Sequence, residues 1–131
     1  MNIGALLQRC AQRWPGQPAL VDARDGSVLD FPSFAARVFG LGHALRADGL
    51  GDGDRVAILG DNTPAYLLWD YGAMSAGLVR VPLDPALSAD EQAAQLIDAQ
   101  AGMLAHGAEY GERARELAAR VPGLRLRPLE A

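Results

Sequence analysis

The sequence predicts an α/β fold in which helices alternate with a mostly parallel sheet, preceded by a helix and a β-hairpin. From Arg55 onward, short apolar runs alternate with segments of helical periodicity, the pattern of βα units joined by right-handed crossovers. Before that point, Asp25-Gly26 is a turn signal between two short extended runs. We therefore expect a single unit of residues 1–131, with helix, hairpin and helix in 1–54 and the alternating parallel part in 55–131.

The first part is predicted to hold two amphipathic helices on either side of the hairpin. The helices are expected at 3–14 and 32–47, and the hairpin strands at 19–22 and 28–31. The second helix carries an apolar stripe at positions i, i+4, i+7 and i+11, formed by Phe34, Val38, Leu41 and Leu45. Gly49 follows it, where a left-handed residue would end the helix.

The second part is predicted to hold four strands and three helices. The strands are expected at 55–59, 78–81, 102–105 (a weak signal) and 124–127, and the helices at 64–76, 88–99 and 110–121. The first run, RVAIL, shows no alternation, as expected of a strand buried on both faces. The helix at 64–76 is apolar almost all round and needs cover on several sides. Ser88 and Glu91 form a capping box.

The charge composition excludes several kinds of site. All twelve positively charged side chains are arginines, so neither a Schiff-base Lys nor a phosphate-loop Lys exists. The net charge is −4 and no basic patch is evident, which argues against nucleic acid as a partner. Arginines gather near the end of the chain, but acidic residues are interleaved with them, so a solvated helix face is expected there.

Cys10 is the only cysteine, which excludes an intrachain disulfide. It falls on the apolar stripe of the first helix, beside Leu6, Leu7 and Trp14, and we expect it in the core rather than as a nucleophile. No apolar run approaches the ~18 residues of a membrane span, and no secretory leader is evident. A cytoplasmic location is the resulting expectation.

The loops after the parallel strands are the places where a ligand would bind. Asp61 and Asp84 could both reach this edge and hold Mg²⁺, as in a receiver domain, but a receiver also uses a Lys that this chain lacks. We favour a capping role for Asp61, Asn62 or Thr63 at the next helix. His106 is interpreted as a loop residue, and His43 lies within the helix at 32–47 with no Ser or Asp beside it in the sequence. No catalytic, cofactor-binding or metal-binding residue is assigned.

Six segments in order resemble the opening of the adenylate-forming, AMP-binding enzyme superfamily. They are residues 14–21 (WPGQPALV), the helix in 31–50, 53–59 (GDRVAIL), 62–64 with 72–77 (NTP and GAMSAG), 81–85 (VPLDP), and 87–91 with 95–96 (LSADE and QL). Two departures are Asp30-Phe31, where Thr-Tyr is usual, and Arg80, where an apolar residue is usual. Arg80 suggests that one end of its strand meets solvent or a partner.

The resemblance implies the flavodoxin-like half of an adenylate-forming N-terminal domain, within an AMP-forming acyl-CoA synthetase. Such a ligase joins a carboxylic acid to ATP, releases pyrophosphate, and passes the acyl group to coenzyme A or a carrier-protein thiol. ATP, Mg and coenzyme A are implied for the full-length enzyme. The family's loop with Lys, ribose-binding Asp and mobile-domain Lys match nothing here, so we expect this fragment to bind no cofactor and to be inactive alone.

Three alternatives stay open: a stand-alone flavodoxin-like binding or receiver module, a peptide-synthetase adenylation fragment, and an independent interaction domain. The expected partners are the remainder of the full-length chain and, because a sheet edge or apolar face is left uncovered, a second copy in a homodimer. The sequence does not identify the carboxylic acid.

Overall fold

The computed structural model describes residues 2–130, which form two sheets surrounded by helices. The first sheet is an antiparallel hairpin, and the second has four parallel strands in the order β4-β3-β5-β6. The helices are α1 Ile3–Arg13, α2 Phe31–Ala47, α3 Pro64–Ser75, α4 Ala89–Asp98 and α5 Gly111–Arg120, with a 3₁₀ turn at Ala108–Tyr110. The strands are β1 Pro18–Val21, β2 Val28–Asp30, β3 Arg55–Leu59, β4 Val79–Pro82, β5 Met103–His106 and β6 Arg125–Pro128. The predicted fold class is confirmed.

Helices cover both faces of the parallel sheet. One face packs α4 and α5 against Ala57, Leu59 and Leu104. The other packs α2 and α3 against Val56, Ile58 and Met103. Because β3 and β5 are central and touched on both faces, their apolar runs need no alternation. The 102–105 segment, a weak strand signal in the sequence, is therefore fully buried at Met103, Leu104 and Ala105.

Local side chains set the ends of the helices. Asp30 accepts a hydrogen bond from the Ser33 amide at 2.8 Å and begins α2 one residue earlier than expected, so Phe31 is helical rather than part of β2. Thr63 accepts from the Tyr66 amide at 3.2 Å and begins α3. Gly49 has φ 95°, the left-handed conformation that its position after α2 requires. Ser88 caps α4: its hydroxyl accepts from the Glu91 amide at 3.2 Å and donates to the Glu91 carboxylate at 3.1 Å, so one half of the expected capping box is formed.

Both edges of the parallel sheet carry a proline that points outward. On β4 the amides of Val79 and Leu83 donate inward to β3, so the nitrogen of Pro82 lies on the open side. On β6 the amides of Arg125 and Leu129 donate inward to β5, which places Pro128 outward in the same way. Since proline has no N–H, each edge lacks a donor that an added strand would need.

The expectation that Cys10 of the first helix lies in the core is wrong. Cys10 is only partly buried, and Leu6 and Trp14 are exposed, although all three lie on the apolar stripe. The physical reason is that α1 lies outside α2 and α3, so that Leu7 reaches the small core cluster with Phe34 and Val38 while its neighbours remain at the rim.

No helix of residues 2–130 is long and apolar enough to cross a membrane.

Candidate functional site

The carboxyl edge of the parallel sheet is where the fold would place a ligand. The chain leaves β3 toward β4 on one side and later returns to β5 on the other, so the topological switch lies between β3 and β5. Gly60 ends β3 at this point. A Cβ on Gly60 would lie 2.7 Å from the Leu129 side chain, so the chain's own C-terminal segment closely approaches the end of β3. Leu129 is buried, and its carbonyl accepts a hydrogen bond from Trp69 Nε1 at 2.9 Å.

Asp61 and Asp84 make separate contacts at this edge of the sheet. Asp61 accepts a 2.6 Å hydrogen bond from the Tyr110 hydroxyl, which raises the pKa of that tyrosine. Asp84 accepts instead from the Ala86 amide at 2.9 Å and closes a local turn. Within residues 2–130, no group of three or more His, Cys, Asp or Glu side chains is placed to hold a metal ion. The capping role proposed for Asp61, Asn62 or Thr63 belongs to Thr63.

A buried amide ties the loop that contains Asp84 to the two helices beneath it. Gln92 is fully buried, and its Nε2 donates to the Asp84 carbonyl at 2.9 Å. Its Oε1 accepts from Arg113 at 2.8 Å, and the same guanidinium donates to the Leu87 carbonyl at 3.0 Å. This network fixes the loop after β4. The sequence around Gln92 gives no local sign that this side chain faces the core.

The two histidines are not arranged for catalysis. His106 ends β5, and its Nδ1 lies 3.0 Å from the neighbouring Gly107 carbonyl. His43 is exposed on α2 and borders a depression of about 240 Å³ that also touches Ser75 and Asp52. These three residue types could form a triad, but Ser75 donates to the Gly72 carbonyl and Asp52 pairs with Arg46. His106 was expected in the loop after β5, but the structure places it as the last residue of that strand, because the strand runs one residue further than expected.

Arg80 pairs within the chain. Its Nε lies 3.2 Å from Asp70 Oδ1, but the two groups are not aligned for a hydrogen bond, and that oxygen is buried without a partner. Burial raises the pKa of Asp70, and Arg80 opposes the rise. Burial also raises the pKa of the Tyr66 hydroxyl, with Asp70 adding to the effect. The suggestion that Arg80 meets solvent or a partner is thus refined: its side chain is about two-fifths exposed and also faces Asp70.

Arginines near the end of the chain are divided between α5 and β6 rather than forming one helix face. Arg120 pairs with Asp90 and Glu116, and Arg127 pairs with Asp48. Arg125 donates to the Asp48 carbonyl at 2.9 Å. The contacts of Arg125 and Arg127 with Asp48 connect the edge strand β6 to the end of α2. These two arginines therefore stabilise the packing of one element on another.

An apolar surface lies where α1, the hairpin and α3 meet. Two open depressions of about 260 and 360 Å³ share Leu20 and Leu67 in their walls. Leu6 and Cys10 line the first depression, and Val21 lines the second. We call this surface, together with Val28 beside Val21 on the hairpin, the hairpin face.

Comparisons with known proteins give consistent results. Residues 7–127 match the model of the AMP-binding enzyme family. Over 94 residues, the chain is 42% identical to a feruloyl-CoA synthase of Amycolatopsis sp. This matched segment covers 72% of this chain and 19% of that protein. Thus the chain spans about a fifth of the length of this relative.

Solved structures agree over nearly the whole chain. A putative long-chain-fatty-acid CoA ligase of Rhodopseudomonas palustris superposes with a TM-score of 0.90 and 26% identity, covering 98% of this chain and 32% of that one. The N-terminal domain of FACL13 from Mycobacterium tuberculosis superposes with a TM-score of 0.85 and 26% identity, covering 96% of this chain and 33% of that domain.

Proposed function

Because the chain belongs to the AMP-binding enzyme family, we propose that it is the N-terminal part of an ATP-dependent, AMP-forming acid–CoA ligase. The whole enzyme would convert a carboxylic acid, ATP and coenzyme A to acyl-CoA, AMP and pyrophosphate through an acyl-adenylate. One observation carries this proposal: the whole fold superposes at a TM-score of 0.90 on a third of a putative acid–CoA ligase. Its cytoplasmic location stays a prediction.

We assign no catalytic residue to this part of the ligase. A triphosphate at the carboxyl edge would meet the carboxylates of Asp61 and Asp84, and the chain has no Lys to offset its charge. Asp61 and Asp84 are also already engaged by Tyr110 and the Ala86 amide. These residues do not fit ATP or Mg²⁺, so we place ATP, Mg and coenzyme A on parts of the ligase outside this chain. The role of the present residues would be structural support.

A chimera tests the proposal. We would replace the matching N-terminal segment of the Amycolatopsis feruloyl-CoA synthase with this chain and measure feruloyl-CoA formation. We expect a folded chimera to form the thioester, whereas the same synthase without any N-terminal segment should not. A chimera that folds cooperatively but forms no thioester would count against a ligase role for this chain.

The chain alone provides the complementary measurement. We expect no exchange of pyrophosphate into ATP with mixed carboxylic acids, and no saturable heat with Mg-ATP up to millimolar ligand. Micromolar binding would instead favour the stand-alone binding module. The carboxylic acid, and the choice between coenzyme A and a carrier-protein thiol, would be determined by assaying the full ligase with each.

A further inference from the structure

The hairpin is apolar on both of its faces, although only one is covered within this chain. Leu20 and Leu29 face inward and pack against the cluster of Phe34 and Val38. Val21 and Val28 form a direct cross-strand pair on the outer face, and they are 56% and 54% exposed. A sheet with one solvated face alternates apolar and polar residues. The absence of a polar outer side at this pair indicates that something covers it.

The exposed apolar residues gather at this place. Seven large apolar side chains are exposed among residues 2–130, and four of them belong to the hairpin face: Leu6, Val21, Val28 and Leu67. Of the others, Ile97 lies on α4, beyond the parallel sheet. The two depressions of about 260 and 360 Å³ connect Leu6, Val21 and Leu67, because both share Leu20 and Leu67 in their walls. Val28 adjoins this surface as the cross-strand partner of Val21. Contiguous exposed apolar surface marks an interaction site.

The matched structures indicate the occupant. The chain covers only 33% of the FACL13 N-terminal domain, so two thirds of that single domain have no counterpart here. The sheet edges are poor places for this remainder to pair, because Pro82 and Pro128 each remove an outward donor. A two-stranded hairpin is also marginal by itself and needs further packing. We infer that the hairpin face is the surface on which the remaining two thirds of the ligase's N-terminal domain packs. This inference rests on the proposed function.

Charge substitutions on the hairpin face provide the test. Val21→Glu and Leu67→Glu would each place an unpaired charge in the contact, whereas Ile97→Glu is a matched change on the far side of the sheet. In the isolated chain all three positions are exposed, so we expect little change in Tm. In the chimera with the feruloyl-CoA synthase, Val21→Glu and Leu67→Glu should lower the Tm by roughly 5 °C or more, and Ile97→Glu should not.

Cys10 gives a second measurement that requires no substitution. Its thiol lines the depression beside Leu6 and is partly buried in this chain. We therefore expect iodoacetamide to label it at least tenfold more slowly in the chimera than in the folded isolated chain at low concentration. Mass spectrometry of the Cys10 peptide follows it specifically. If the hairpin-face variants are too unstable to purify, this protection alone supports or overturns the inference.

The outcomes separate the two proposals. Suppose that the chimera makes no feruloyl-CoA, but the two hairpin-face variants lower its Tm and Cys10 is protected from labelling. This result would support the docking surface and count against the ligase role. An active chimera in which all three variants melt alike and Cys10 labels freely would overturn the docking surface alone. If Cys10 stays reactive in the chimera but becomes protected as the isolated chain is concentrated, a second copy is the occupant and the inference is overturned.

Discussion

At the residue scale, a few buried polar groups decide how the loops are held. The side chain of Gln92 satisfies the Asp84 carbonyl and the Arg113 guanidinium from a fully buried position. A polar group that loses its partner in such a place costs more than the original bond contributed. The loop after β4 therefore depends on one amide.

We expect Gln92→Leu to lower the free energy of unfolding by about 1–3 kcal/mol, because the Asp84 carbonyl and Arg113 would lose their partner. Gln95→Leu on the same helix is the control. Gln95 is exposed, so its substitution should change stability by less than about 0.5 kcal/mol. Urea denaturation measures both. Equal effects of the two substitutions would show that the Gln92 network contributes nothing.

Asp70 is expected to make the stability of the protein depend on pH. Its pKa is raised from 3.8 by burial, so the folded state keeps the proton to higher pH than the unfolded state. Stability due to this group is therefore present in acid and lost as the pH rises from 3.8 through the raised value. Asp70→Asn, which cannot ionise, should match the parent at low pH and become relatively more stable across that window.

Denaturation midpoints at a series of pH values would check this difference, with exposed Asp98→Asn as the control that should show no such trend. A relative stability of Asp70→Asn that falls with rising pH would mean that attraction to Arg80 outweighs the burial of the carboxylate.

At the scale of the elements, small residues set the distance between α2 and α3. Gly42 of α2 faces the Gly72 carbonyl and Ser75 of α3, and a Cβ there would lie 3.3 Å from that carbonyl and 3.0 Å from the Ser75 hydroxyl oxygen. Gly40, one half-turn away, has nothing within 4 Å of its Cβ position. The two glycines thus differ in packing but share one helix.

The pair allows packing to be separated from helix propensity. Gly40→Ala should stabilise the protein by up to about 1 kcal/mol, since alanine is the better helix former. Gly42→Ala gains the same propensity but must push α3 away, and overpacking costs about 1–3 kcal/mol. We expect Gly42→Ala to be the less stable variant in thermal unfolding. A gain for both would show that the helices separate without strain.

At the scale of the whole molecule, the uncovered hairpin face governs association. In the isolated chain its apolar side chains meet water, and the net charge of −4 provides only modest repulsion. We expect a weak, concentration-dependent dimer through this face rather than through the sheet edges. Light scattering across a dilution series measures it, and Val21→Glu should shift the protein toward monomer. A monomer at every concentration would show that the hairpin face is tolerated in water.

The sequence predicted the elements well because their signals are local. Thr63, Ser88 and Gly49 mark helix ends through bonds and dihedral angles within a few residues of themselves. The partners that hold the molecule together are distant along the chain. Tyr110 and Asp61 are 49 residues apart, and Trp69 and Leu129 are 60 apart, so no local pattern connects them.

The degree of burial of side chains at the edge of the α1 interface was equally difficult to predict from the sequence. The apolar stripe of α1 correctly identifies the side facing the protein, but periodicity does not tell how far a neighbour extends over it. Cys10 is therefore partly exposed where a core position was expected. The contacts of Asp61 and Asp84 were hidden for a related reason: both follow parallel strands, as expected, but their partners, Tyr110 and the Ala86 amide, are visible only in the structure.

The outward prolines of β4 and β6 have a consequence for protein synthesis. If this chain opens a ligase, it leaves the ribosome tens of seconds before the rest of its domain, at translation rates of about 5–20 residues per second. Neighbouring ribosomes on one messenger then display many identical unfinished sheets close together. Pro82 and Pro128 interrupt the backbone donors along both edges, so these nascent chains cannot readily join edge to edge. We therefore expect the two prolines to limit aggregation of neighbouring nascent chains while the rest of each chain is made.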